Sequence, residues 1–291
     1  MTKIISKFSF IIFVIGIISI NSCSETEFIS HSKIPSSIKY ESSISLPFEP
    51  DKICYCAHSE SFLLLNKKKN TIFRINKKGK ILEKIGEFGF EKGQFLNISD
   101  ISTDGIGNLF VVDKSANSII KFDEFGKYLN KISFEEINQP ELISVKNNGD
   151  LLLYDAFYNE IFCFDNQNEI RYNFGKFSLI NPQKIENSTN INYVFDNAEN
   201  SIFVFDDFGG IVRKIQHDEK IVDIASSKYF LLYITLDGNV FCHKFKSNLM
   251  RHLAKISELF PIYKIDSIFA FDKKVGLISE KKLHLFYLTN E

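Results

Sequence analysis

Tryptophan is absent from the 291 residues, and the aromatic content is carried by 30 Phe and 11 Tyr, so any cofactor-docking motif built on an indole is excluded. No charge of one sign dominates. Lys and Arg number 35 against 36 Asp and Glu, a formal net charge of −1, and such a chain has no basic field with which to hold nucleic acid. No apolar run reaches the roughly 20 residues that a membrane-spanning helix needs. Cysteine is scarce, at five residues, and its closest pair, Cys54 and Cys56, is spaced C-x-C rather than the C-x-x-C of redox and zinc motifs, with no His at ligand spacing. No G-x-S-x-G stands anywhere, which removes the nucleophile elbow. Apolar residues are not lacking: at 44% hydrophobic and 24% charged, the chain can bury a large core and is neither disordered nor fibrous.

The first 22 residues read as a leader. Lys3 and Lys7 precede the apolar run Phe8 to Ile18, and Ile20-Asn21-Ser22-Cys23 follows. That arrangement resembles the lipobox of bacterial lipoproteins, and the resemblance implies cleavage before Cys23 and lipid attachment to it, the alternative being an ordinary secretory signal. Residues 23–37 are polar and Ser-rich, as in a tether. Ser24 rather than Asp follows the lipid site, which by the same resemblance implies the outer membrane of a bacterial envelope. Four cysteines then remain, Cys54, Cys56, Cys163 and Cys242, and they read as small buried apolar side chains.

A phrase recurs about every 42 residues from there on. The copies are LLLNKKKNTIFRI (63–75), LFVVDKSANSIIKF (109–122), LLLYDAFYNEIFCF (151–164) and NYVFDNAENSIFVF (192–205). Asn66, Asp113, Asp155 and Asp196 form one column, at steps of 47, 42 and 41 residues, and Asn70, Asn117, Asn159 and Asn200 form a second. Asp and Asn accept hydrogen bonds from amides two residues on and tolerate left-handed backbone, so both columns read as hairpin chemistry. A second turn follows, with Gly79, Gly126 and Gly209, and Asn168 standing where the third copy lacks Gly.

Short strands repeating at that period predict an all-β fold, a propeller of four-stranded antiparallel blades. Residues 221–256 make a fifth, degraded copy with a tight turn at Asp237-Gly238. Residues 265–288 supply three strands of a sixth. The strand at Ile38–Leu46 has no blade of its own, so it completes the last blade from outside and hides the edges of an open sheet. Residues 38–291 are thus expected to form a six-bladed propeller.

Gly86-Glu87-Phe88-Gly89, Gly93-Gln94-Phe95, Asp104 to Asp113, Asn117 to Asp123 and Gly126 together look like one full NHL repeat. The blades that contain Leu63 and Leu151 are similar to it. The chain departs from that pattern at Asn97 to Asp100, where the Pro before the first strand is missing, and at Ser118, where the family often has Arg.

The segments entering the first strand of each blade align as Asp51-Lys52-Ile53, Ser99-Asp100-Ile101, Glu141-Leu142-Ile143, Gln183-Lys184-Ile185, Val222-Asp223-Ile224 and Asp266-Ser267-Ile268. They predict a channel mouth with Asp51, Asp100, Glu141, Asp223 and Asp266 beside Lys52 and Lys184. Two readings of these acids stay open: converging oxygen ligands for Ca²⁺, which six-bladed lactonase-like propellers resemble, or solvated and lysine-paired carboxylates. The six histidines do not repeat by blade. Loop aromatics, Phe88, Phe90, Phe95, Phe125, Phe157, Tyr158 and Phe208, suit an interface. The expected function is a lipid-anchored binding or scaffold module for another envelope protein; the alternative is a metal-dependent hydrolase or lyase of a sugar or lactone working in the channel.

Overall fold

The computed structural model describes residues 34–228, 230–244, 249–261, 264–271 and 273–290. The expected leader, Cys23 and the tether as far as Lys33 lie outside the described residues. Six four-stranded antiparallel sheets follow one another along the chain, which is the six-bladed propeller that the repeat predicts. The sixth is closed from the other end: Ser37–Ser45 pairs antiparallel with Lys282–Thr289, as its outermost strand. Ahead of that strand, Ile34 is buried and the Ser36 amide donates to the Thr289 carbonyl at 2.8 Å.

The second strand of each blade is apolar along its length because neighbouring blades cover both of its faces. Along Ser61–Asn66, Leu63 and Leu65 pack with Ile101, Leu109 and Val111 of blade 2, whereas Phe62 and Leu64 pack with Ile278, Leu283 and Leu285 of blade 6. The same alternation builds the other four interfaces, so the core is six wedges between blades rather than one central mass. Cys56, Cys163 and Cys242 are buried, Cys54 is half-buried, and all four are free thiols.

The two polar columns do different work. Asp113 accepts from the amides of Leu96, Asn97 and Ala116, and Asp155 from those of Asn138, Gln139, Phe157 and Tyr158. Each acid therefore holds its own hairpin and also the chain that enters its own blade. The Asn column reaches onward. The Asn159 amide donates to the Leu179 carbonyl at 2.6 Å, and Asn200 donates to the His217 and Glu219 carbonyls and accepts from the Ile221 amide, so each clamps the link into the next blade. All four Asn are left-handed, with φ between 46° and 53°. In the outer hairpins Gly126 takes φ 78° and Asn168 takes φ 66°, as the substitution of one for the other requires. Asn159→Ala is expected to destabilise by about 2–3 kcal/mol, from lost hydrogen bonds and left-handed strain, and Asn159→Gly by roughly 1 kcal/mol less, since glycine removes the strain alone. Chemical denaturation of the two variants measures the difference.

The closing blade carries a buried histidine. His284, 2% exposed, lies opposite Ser43 of the closing strand and against the Phe260 ring, and its Nδ1 has no hydrogen-bond partner among the described residues. Burial, with Lys282 nearby, lowers its pKa below 6.5. The unfolded chain therefore binds a proton that the native chain refuses, and this contribution to stability shrinks as pH falls below about 6.5. His284→Phe should flatten the acid side of a melting-temperature profile.

Candidate functional site

Chain direction gives the propeller two distinct faces. Every inner strand starts on one of them, the entry face, which also carries the links between blades and the turns between second and third strands. The other, the exit face, carries the remaining hairpins and the incoming segment Ile34–Ser36.

The inner strands are Lys52–Cys56, Ile98–Thr103, Pro140–Val145, Pro182–Ser188, Ile221–Ser226 and Ser267–Phe271. Four of them open with a break in register, at Ile98/Asp100, Pro140/Leu142, Pro182/Lys184 and Ile221/Asp223. Bulges of this kind re-aim the side chain that follows. Of the residues just before the aligned isoleucines, Lys52 meets Asp100, and Lys184 and Ser267 meet Asp223, at the entry end of the channel.

Two relays result. Lys52 Nζ of blade 1 donates to Asp100 Oδ1 of blade 2 at 2.7 Å, and Asp100 Oδ2 accepts the Ile143 amide of blade 3 at 2.9 Å. Lys184 Nζ of blade 4 donates to Asp223 Oδ2 of blade 5 at 3.0 Å, and the same oxygen accepts the Ile268 amide of blade 6 at 2.9 Å and the Ser267 hydroxyl at 2.6 Å. Lys184 also reaches the Ile268 carbonyl at 2.9 Å. The order Lys, Asp, backbone thus occurs twice around the ring, half a turn apart, and each occurrence ties three blades. Burial alone would pull both ammonium pKa values down, but the adjoining carboxylates, Asp100 for Lys52 and Asp223 with Glu186 for Lys184, carry them above 10.5. Both lysines therefore stay charged and paired.

Below the relays, Glu186 sits 3.5 Å from Lys184 and accepts the Ser226 hydroxyl at 2.9 Å. Cys54 lines the same cavity, and burial pushes its thiol up to about 11, so it stays protonated and is a poor nucleophile at neutral pH. The cavity, lined by Lys52, Cys54, Ser102, Ser144, Lys184 and Glu186 among others, encloses about 130 Å³. That is below the roughly 300–1,000 Å³ of common small-molecule sites.

The other expected mouth residues lie elsewhere. Asp51 is exposed and accepts the Lys67 amide at 2.8 Å, Glu141 pairs with Lys114, and Asp266 pairs with Lys264 at 2.5 Å and accepts the Glu280 amide. Four of the five acids, Asp100, Glu141, Asp223 and Asp266, thus stand beside a lysine, and Asp51 accepts a backbone amide. Among the described residues no three His, Cys, Asp or Glu side chains gather as metal ligands, and Asp100 and Asp223 already serve a lysine and a backbone amide each. The donor set as it stands does not fit a Ca²⁺ cage, which needs six to eight oxygens.

The loop aromatics divide. Phe95 is fully buried, packed against Phe122 and seated over Gly86, and is no interface residue. Phe88, Phe90 and Phe157 are 65–85% exposed on the entry face; Phe125 and Phe208 are exposed on the exit face. Sequence reasoning missed Phe177, which is 95% exposed. It lies outside the aligned copies, in the link between blades 3 and 4.

No protein-family model and no curated protein matches this chain. Its fold does match solved structures. Streptogramin B lyase is 14% identical with a TM-score of 0.57, covering 89% of this chain and all of that one. Virginiamycin B lyase from Staphylococcus aureus is 15% identical at a TM-score of 0.58, with 87% of this chain and all of that one covered. The β-propeller domain of Cps50 (Swd1) from Myceliophteria thermophila is 11% identical at a TM-score of 0.60, again with 87% and 100% covered. At such identities the likeness concerns the fold.

Proposed function

We propose that the protein is a lipid-anchored binding module of the bacterial cell envelope, held by Cys23 at the outer membrane, whose propeller docks another envelope protein. The observation that carries this reading is the state of the channel: its lysines and carboxylates are spent on one another and on backbone groups, while large apolar side chains stand unburied on the entry face. A channel of paired charges holds a ring together, and exposed aromatics supply interface area.

The two lyase neighbours bear on the alternative, a metal-dependent hydrolase or lyase using the channel, and they do so through the fold alone. Two experiments test the proposal. Palmitate labelling should mark the wild type and not Cys23→Ala. Detergent-solubilised membranes should yield the protein in a complex with a second envelope protein; recovery as a monomer alone would count against a stable partner.

A further inference from the structure

Four exposed apolar side chains, Phe157, Tyr158, Phe177 and Ile180, stand on the entry face where blade 3 passes into blade 4. The turn Gly175-Lys176-Phe177-Ser178 is closed twice, the amides of Ser178 and Leu179 both donating to the Gly175 carbonyl, at 2.9 and 3.0 Å, and Phe177 is left at its apex. Leu179 is buried below, in the wedge between the blades. Asn159 ties this turn to the neighbouring hairpin through the Leu179 carbonyl, which brings Phe157 and Tyr158 alongside. Those two rings lie edge to face, 4.9 Å apart, and Asn138 Nδ2 holds the Tyr158 hydroxyl at 2.9 Å. Ile180, 62% exposed, is fixed by its amide to Asp196 at 2.6 Å.

The patch is thus rigid as well as apolar. An exposed Phe forgoes the favourable burial of its ring, and isolated cases need no explanation. Here four apolar residues share one small surface and are held by hydrogen bonds that would have to break for them to turn inward. Charge around the patch has one prevailing sign. Glu135 and Glu136, in the link on one side, are exposed and make no ion pair among the described residues, while in the link on the other side the exposed Asp218 stands two residues from the exposed Lys220. The one basic side chain within it, Lys176, leans back toward Glu160 at 3.9 Å.

The geometry points to this patch as the site where the partner docks, and to a partner segment that carries apolar side chains flanked by Lys or Arg. The inference rests on the binding function proposed above and narrows it to one surface and one chemistry. Apolar side chains would cover Phe157, Phe177 and Ile180, and the basic groups would meet Glu135, Glu136 and Asp218 at the rim, where charge mainly sets the association rate and its salt dependence.

The test places a photo-crosslinking phenylalanine analogue at Phe177 in the full-length protein, and separately at Phe208, which is 83% exposed on the opposite face. After illumination of intact cells that make the protein, the crosslinked peptides are sequenced. The expected product arises from position 177 and joins a segment of another protein rich in Lys or Arg beside apolar residues. Its yield should drop at least tenfold in Phe157→Ser/Ile180→Ser and about twofold or more in Glu135→Gln/Glu136→Gln/Asp218→Asn. Crosslinks from position 208 alone would overturn the patch and leave the binding function standing. An acidic or wholly polar segment, or a second copy of this chain, captured at position 177 would overturn the stated chemistry. No crosslink from either position would sink both.

Discussion

Asp223→Ala is expected to destabilise the protein by about 3–5 kcal/mol, because it leaves the Lys184 ammonium inside the channel with its nearest carboxylate gone. The Ile268 amide and the Ser267 hydroxyl lose their acceptor in the same step, which cuts blade 5 from blade 6 at the ring's inner edge. For a chain of this size the melting temperature should fall by roughly 10 °C. Lys184→Gln/Asp223→Asn keeps an acceptor for the amide and removes both charges, so it should recover most of the loss; breaking a buried pair costs far more than replacing it. Alkaline titration gives an independent reading. The native state holds the Lys52 and Lys184 protons above the ordinary 10.5, so their contribution is intact below that pH and is lost as pH rises through the folded values. Tyr193 and Tyr233, whose hydroxyls burial also drives upward, weaken the fold in the same direction. The double variant should therefore show a shallower alkaline decline than the wild type, not a flat one.

Deleting residues 1–45 is expected to abolish cooperative folding. Blade 6 would keep three strands, the edge of Lys282–Thr289 would stand open, and the sites that Ile38 and Ile44 fill between blades would empty. Exposed edges of this kind pair with other chains, so the truncated protein should aggregate. A synthetic peptide spanning residues 34–46 should restore a monomeric product by strand addition. The milder Ile38→Ala should cost about 2–4 kcal/mol. Size-exclusion chromatography and thermal melts measure all three; a truncated chain that stays monomeric with an unchanged melting temperature would show that the closing strand is dispensable.

The architecture was readable from the sequence because it is written locally. The hairpins of the first four blades carry their own Asp or Asn, with Gly or Asn168 at the outer turns, and the three-strand shortfall after Ile265 is a matter of counting. The channel was readable only in part. Asp51, Glu141 and Asp266 stand two residues before the aligned isoleucines, whereas Asp100 and Asp223 stand one before, and with a side-chain period of two those sets point in opposite directions. Sorting the acids by that offset would have exposed the order Lys52, Asp100, Leu142, Lys184, Asp223, Ser267, with its twofold alternation of charge. The bulges that aim these groups inward have no consistent local signature, since Pro140 and Pro182 mark two of them and Ile98 and Ile221 the others. The Lys184 contact with the Ile268 carbonyl spans 84 residues and exists only once the ring has closed. Phe177 escaped for a different reason: links between blades vary in length, so no column contains it.

Recovery of the proposed envelope partner with two variants, side by side from detergent-solubilised membranes, separates channel from face most directly. Lys184→Gln/Asp223→Asn removes charge from the channel and leaves the entry-face patch intact, whereas Phe157→Ser/Phe177→Ser does the reverse. Unchanged recovery with the first and at least a tenfold loss with the second is the expected result. Loss with the channel variant, at a temperature where it remains folded, together with full recovery by the patch variant would contradict it and return the binding site to the channel.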